Sequence, residues 1–399
     1  MLTYIIILIT LFAAIVLLSL LKRYEIMAPW AITPIVWGVI LFIYIFARKE
    51  LYAMVPDFLN GLLLWVTGLC AASFITFKIT PAYKHSQWQA CEKNIDILTG
   101  LAIILVPLAV YKAIQHAMMM ASPEELMMSL REQAIDPEEN QLGVVKYFVY
   151  IINVLLILEL DRLKIRKWRL SMIIMLCFLF FVATMSKTTL LTYIFSGLYI
   201  LYSNKKISLK PIFFFALFLI AMVPIMYVMR SSGDGPETDS DTITSLLIIY
   251  IVSSVIAFGY LTPCSTAQWG EITLRPFYNI LHGLGFDVNV VTTIQDFVYV
   301  PLPTNVYTCM APFYQDFGLP GIFVFAVIEG AIIGVIYKYA KTGFNIMKYL
   351  YAFIFTMLIT QFFDENFFQA ISAIIQTLLM LIICHTKFII NKKTDTCTL

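Results

Sequence analysis

Eleven apolar runs, each close to bilayer length, divide this chain and leave it few ways to fold. A helix that crosses hydrocarbon needs about 20 predominantly apolar residues. The runs lie at Thr3–Leu21, Pro29–Ala47, Phe58–Phe77, Ile95–Tyr111, Val144–Leu160, Leu170–Met185, Thr189–Tyr202, Pro211–Met229, Pro320–Tyr339, Met347–Phe363 and Ala370–Phe388. Backbone N–H and C=O groups in lipid must pair within their own segment, so each run is predicted helical. The expectation is an all-α polytopic membrane protein with about eleven transmembrane helices, within a range of roughly ten to twelve. Composition agrees. Charged residues make up 13% of the chain and hydrophobic residues 60%, against about 25% charged in a soluble domain. The first run is too long for a cleaved signal and has no basic start, so it reads as a span.

Basic residues set the orientation. One set of loops holds Lys22 and Arg23; Lys78, Lys84 and Lys93; Arg162, Lys164, Arg166, Lys167 and Arg169; Lys205, Lys206 and Lys210; Lys338, Lys341 and Lys348; and Lys387, Lys392 and Lys393. These are 19 of the 27 Lys and Arg residues. The alternate set holds Arg48, Lys49, Lys112, Arg131, Lys146, Lys187, Arg230 and Arg275. The positive-inside rule predicts that the first set is cytoplasmic. The C-terminus is then inside and, with eleven spans, the N-terminus outside.

Two outer loops are long. Residues 112–143 form an acidic loop, with Glu124, Glu125, Glu132, Asp136, Glu138 and Glu139. Residues 230–319 form a second loop, rich in Tyr, Phe, Trp and Pro, and are predicted to fold. Loops above about 15 residues are commonly functional. Within it, Thr242–Tyr260 is apolar enough to span, but a crossing there would spoil the charge alternation. It is predicted to lie on the outer face as an interfacial helix. The chain reads as one polytopic domain, residues 1–399.

Chemistry is sought in these loops. The sequence has no paired-His zinc motif, no phosphate-binding P-loop and no dinucleotide fingerprint, so no metal, cofactor or nucleic-acid partner is expected. The seven cysteines show no metal spacing; Cys264 and Cys309 share one loop, and their pairing stays open. Glu159 and Glu329 lie within spans, where an ionisable group is a functional candidate or else a residue tied to a neighbouring helix. Lys187 sits in a short outer turn, Arg230 opens the long loop, and Arg275 lies in Thr273–Leu274–Arg275–Pro276–Phe277. Were these three to converge, they would bind an anionic group, since a guanidinium matches phosphate with two parallel hydrogen bonds. Next come Pro303–Thr304–Asn305–Val306–Tyr307–Thr308 and Asp316–Phe317–Gly318. Asn305, Tyr307 and Thr308 supply the hydroxyls, amide and aromatic face that suit sugars. Asp316 is read either as a general base or as a helix cap, and His282 either as a pH-tuned base or as a structural residue.

Three stretches together resemble the Wzy-type O-antigen and capsule polymerases, the oligosaccharide repeat unit polymerases of bacteria. They are Ser186–Lys187–Thr188–Thr189–Leu190–Leu191, the Tyr250–Leu281 stretch leading through Thr273–Leu274–Arg275–Pro276–Phe277, and Thr304–Asn305–Val306–Tyr307–Thr308 with Asp316–Phe317–Gly318. The last is followed by Gly321, Gly330, Gly334 and Tyr337. The likeness covers about Leu170 to Lys341. It implies a glycosyltransferase of the bacterial inner membrane, working on the periplasmic face. A glycan on undecaprenyl diphosphate would move to the non-reducing end of a new lipid-linked repeat unit. Implied partners are undecaprenyl-diphosphate-linked oligosaccharides, a chain-length regulator and a flippase, all within the lipid bilayer. Lys187, Arg230 and Arg275 would hold the diphosphate. The sequence departs from many such polymerases in its odd span count and in carrying Lys187 where they have Arg. Related readings are an O-antigen ligase, with His282 as its loop histidine, and a flippase without chemistry.

Overall fold

The computed structural model describes residues 1–47, 51–84, 89–120, 122, 125–135, 142–208, 251–292, 295–300 and 303–386. The helices are α1 (Leu2–Leu21), α2 (Pro29–Ala47), α3 (Pro56–Ile79), α4 (Glu92–Met120), α5 (Leu126–Ile135), α6 (Phe148–Asp161), α7 (Lys167–Thr184), α8 (Lys187–Ser203), α9 (Ile251–Tyr260), α10 (Arg275–Gly283), α11 (Ala311–Lys341), α12 (Asn345–Ile359) and α13 (Ile371–His385). Among the described residues the only sheet is a small antiparallel hairpin, β1 (Val298–Tyr299) against β2 (Pro303–Thr304).

Every predicted span within the described residues falls on a helix, and seven helices are long and apolar enough to cross a bilayer. Their outer sides carry large apolar groups such as Leu18, Ile104 and Phe178. Water would penalise that surface; hydrocarbon does not. The expected eleven is not reached among the described residues. Helix α8 has 17 residues, and α12 and α13 have 15 each. The predicted span Pro211–Met229 lies outside the described residues, as do residues 242–250 of the predicted interfacial helix.

The two ends of the bundle differ in charge. Lys341 pairs with Glu25, and Thr342 accepts the Tyr83 backbone N–H at 3.1 Å. Arg162 meets Glu92 at 2.6 Å, and the Cys91 N–H donates to the Cys384 carbonyl at 2.7 Å. Lys348 pairs with Asp161 and donates to Asn204 at 2.8 Å. These links bring the described parts of five of the six basic loops to one end, with the end of α13 at Cys384 beside them, in line with the grouping the sequence predicts; Lys387, Lys392 and Lys393 lie outside the described residues. Glu159 belongs here. It is fully buried and forms ion pairs with Arg162 at 2.8 Å and Arg169 at 3.1 Å, and it accepts the Arg166 N–H at 2.8 Å. It therefore staples α6 to α7. Glu159→Gln removes the charge and keeps the shape. We expect a loss of about 2 kcal/mol, the value of hydrogen bonds to charged groups, read as a lower unfolding midpoint in detergent. An unchanged midpoint would show that the staple carries no stability.

At the opposite end two segments turn back into the bundle. Gly318 breaks α11 with φ +66° and ψ −158°, a backbone state for glycine. A Cβ on Gly321 would sit 2.6 Å from the Phe313 carbonyl oxygen. In a straight helix residues eight apart are separated by about 12 Å along the axis. Ala311–Phe317 thus folds back along the start of the long helix. Phe313 stacks on Phe325 at 4.7 Å and on Trp65 at 5.6 Å. This reversal carries Thr308 and Cys309 inward, towards the level of Glu329. The second segment is the link between α12 and α13, residues 360–370. It accounts for the shortness of both helices: the predicted span Met347–Phe363 stops at Ile359, and the link dips into the protein. Non-helical backbone at such depth is tolerated where protein surrounds it.

Candidate functional site

Gln361 stitches the two folded-back segments together. Its backbone carbonyl accepts the Cys309 N–H at 2.9 Å. Its Oε1 accepts from Trp37 Nε1 at 2.9 Å and from Trp65 Nε1 at 3.2 Å. Beside it lies a small cavity of about 10 Å³, lined among others by Trp65, Cys309, Glu329, Gln361, Asp364 and Glu365. That is room for about one water molecule.

The carboxyls around this cavity are ordered by their partners. Glu365 accepts backbone N–H groups from Phe367 at 2.6 Å, Phe368 at 2.8 Å and Gln369 at 2.7 Å. Burial raises the proton affinity of Glu365, and these three donors oppose the rise. Glu329 hydrogen-bonds Glu365. Both carboxyls line the same small cavity. Glu329 Oε1 is buried with no hydrogen-bond partner, as is Thr308 Oγ1. Asp364 stands at the rim, exposed, with Oδ1 accepting the Glu365 N–H at 2.8 Å. Surrounding protein pushes its carboxyl up to about 7; the Glu365 charge adds to the rise, and the Glu365 N–H and Arg275 oppose it. Water reaching the side chain moderates that rise.

Arg275 faces Asp364 and Glu365. It opens α10 and is half-buried. Burial lowers its proton affinity, and the two carboxyls offset only part of that fall. No ion pair within 4 Å ties it down among the described residues. Asp316 positions the chain just before it. One carboxylate oxygen accepts the Thr273 N–H at 2.7 Å and the other the Ile272 N–H at 3.3 Å. Tyr314 Oη donates to Asp57 at 2.7 Å, anchoring the same segment to α3. Asp316 is only 9% exposed, so its geometry is that of a brace across 43 residues rather than of an open base or of a cap on the following span.

The other sequence candidates separate into groups. Lys187 opens α8, whose far end meets the basic cluster at Asn204, so it stands at the same end as Arg275. The preceding turn is tight, with Met185 at φ +45° and Ser186 Oγ accepting the Thr189 N–H at 3.4 Å. Tyr307 and Thr308 are buried, and Tyr307 Oη donates to the Asp296 carbonyl at 3.1 Å. They are part of the descending wall, not an open sugar face. Asn305 is half-buried above them and His282 is exposed on α10. Arg230 lies outside the described residues. Cys264 and Cys309 are free thiols, one exposed and one buried. The sequence reading missed Gln361, Asp364 and Glu365. Their signal was Gln361 and the polar triplet Asp364–Glu365–Asn366 between two apolar stretches.

A larger groove, about 470 Å³, lies between α1 and α2 on the lipid-facing flank. Residues such as Ile9, Phe12, Val16, Ile35 and Phe42 line it. It offers nothing to a sugar or diphosphate.

No family model matches this chain, and no solved structure matches it. Two curated relatives do. One, from Escherichia coli (strain K12), is named "Putative O-antigen polymerase" and is 30% identical over 139 residues, 34% of this chain and 35% of the relative. The other, from Shigella dysenteriae, is named "O-antigen polymerase" and is 24% identical over 197 residues, 48% of this chain and 50% of the relative. The matches thus span about a third and a half of the lengths of these relatives. A chain of bilayer-length apolar helices is thus similar, over about a third and about a half of its length, to two proteins named as O-antigen polymerases.

Proposed function

We propose that the protein joins lipid-linked oligosaccharide repeat units into a polysaccharide at the end of the bundle that carries Arg275. The similarity to two O-antigen polymerases carries this reading. The gathering of the basic loops at the far end supports a cytoplasmic assignment there and a periplasmic one for the site. The donor is a glycan on undecaprenyl diphosphate. Its leaving group gains negative charge as the glycosidic bond breaks, and a cation fixed in advance lowers that barrier. Arg275 is the cation we assign to this task, with Lys187 and Arg230 as further diphosphate contacts and Asp316 as the brace that sets the register of Arg275. Asn305 and His282 are left at the surface to meet sugar. The helix α10 also exposes Phe277, Ile280 and Leu281, an apolar side suited to the membrane interface beside a lipid substrate. A chain-length regulator and a flippase complete the proposed setting.

The test is a deletion in the host, with the surface polysaccharide run on a silver-stained gel. The expected result is loss of the ladder with core plus a single repeat unit remaining, restored by the wild-type gene. Loss of every band above core would favour a ligase or flippase instead. An unchanged ladder would remove the polymerase reading.

A further inference from the structure

We propose that the rim of the recess between the two folded-back segments is the acceptor site, where Asp364 binds the acceptor sugar hydroxyl and removes its proton. The proposal rests on the polymerase reading and adds to it the residue that activates the acceptor.

Four observations converge on this rim. Asp364 is exposed while its neighbours Gln361 and Glu365 are buried, so its carboxylate is the one a substrate reaches. The Glu365 N–H fixes Oδ1 at 2.8 Å, and the Asn366 amide donates to the Asp364 carbonyl at 3.3 Å, which holds the loop in one conformation. Below, Glu329 Oε1 is 4% exposed at the residue level, unpartnered, and turned to a cavity of about 10 Å³ that Asp364 also lines. A buried carboxyl oxygen without a partner is costly unless a polar guest satisfies it. Arg275, which we assign to the diphosphate, is near enough for its charge to act on Asp364 and Glu365. Base and cation therefore lie near one another without an ion pair within 4 Å, which leaves both for substrate.

The step balances within the two substrates and one carboxylate. The acceptor O–H bond breaks, and its proton goes to Asp364. The oxygen forms a bond to the anomeric carbon of the donor glycan. The bond from that carbon to the diphosphate oxygen breaks, and undecaprenyl diphosphate leaves with the electron pair. Asp364 then returns the proton to water at the rim. The charged and titratable groups facing Asp364 and its neighbours are Arg275 from α10, Glu329 from α11, Cys309 before it, and Glu365 beside it. Protein packed around Asp364 raises its proton affinity, which suits a base working near neutrality.

The test uses full-length protein in host membranes and lipid-linked repeat unit extracted from the deletion strain. Wild type, Asp364→Asn, Asp364→Glu and Asp287→Asn are compared at matched protein level. Asp287 is an exposed carboxylate of the long outer loop, after α10, and does not line the cavity at the rim. Asp364→Asn is expected to lower the polymerisation rate at least 100-fold while the protein still binds the lipid-linked unit. Asp364→Glu should recover part of the rate, with a shifted rising limb in its pH profile. Asp287→Asn should match wild type. If Asp364→Asn keeps a rate within threefold of wild type while Arg275→Ala loses it, the acceptor assignment falls and the polymerase reading stands. If Asp364→Asn loses binding and rate together, Asp364 is a binding or folding residue and the base role is overturned. If membranes with wild-type protein make no polymer while the deletion strain keeps its ladder, both readings fall.

Discussion

Gly330→Leu is expected to remove most folded protein from the membrane. Helices α3 and α11 approach one another closely through Gly330 and Gly334. A Cβ on Gly330 would lie 2.5 Å from the Leu69 carbonyl oxygen and 2.9 Å from the Leu69 Cα. A Cβ on Gly334 would meet the Ser73 backbone and the Thr76 hydroxyl. These are mostly backbone atoms of a long helix, which cannot rotate aside as a side chain can. In lipid, helix association relies on such close packing, because burying apolar surface gains little there. Overpacking in a filled core costs about 1–3 kcal/mol and occasionally more. A leucine against backbone belongs at the upper end, about 3 kcal/mol or beyond. The same contact also orders the recess, since Glu329 precedes Gly330 directly. Gly330→Ala should act in the same direction with a smaller loss. Fluorescence-detected size exclusion of a tagged protein would check this. A sharp peak at wild-type yield for Gly330→Leu would mean that α3 and α11 are not locked as described.

The apolar runs and the alternation of Lys and Arg are legible in the sequence because lipid enforces both, segment by segment. The helices therefore fall where they are predicted, and the described basic loops meet at one end. The pair Gly330 and Gly334 is also legible as small residues one turn apart, although their partners Leu69 and Ser73 are not. What resists reading is the reversal of chain direction within the bundle. Phe362 and Phe363 extend the hydrophobicity of α12 beyond its true end at Ile359, so Gln361 and Asp364 pass for an ordinary loop. Gly318–Leu319–Pro320 signals a break but not a fold-back of Ala311–Phe317. Tyr307 and Thr308 consequently read as a sugar face when they form a buried wall. Asp316 reads as a base because its two backbone donors, Ile272 and Thr273, come from a distant part of the chain. Glu159 reads as a functional candidate because an ionisable group within a span is one by default; its partners Arg162 and Arg169 turn it into a staple.

Arg275→Ala is expected to lower polymerisation by roughly 100- to 1,000-fold, the effect of removing one preorganised donor from a developing anion. That range corresponds to about 2.7–4 kcal/mol of barrier. Arg275 is suited to the role by three features. It begins α10, where backbone N–H groups and the helix dipole favour an anion. It is half-buried, so its charge is less screened than on an open surface. The brace from Asp316 to Ile272 and Thr273 fixes the turn from which it projects. Arg275→Lys keeps the charge and loses the planar fork, so an intermediate rate is expected. A merely structural arginine would lower yield instead, and the two cases separate on one measurement. Arg275 favours the charged form of Asp364; its removal raises the proton affinity of that carboxyl. The rising limb of the residual pH–rate profile in Arg275→Ala should therefore move to higher pH. Rate measured in membrane vesicles, normalised to protein level, checks both effects. A normal rate in Arg275→Ala would move the diphosphate to Lys187 or Arg230, and a rate loss with an unmoved pH limb would separate Arg275 from the carboxyl rim.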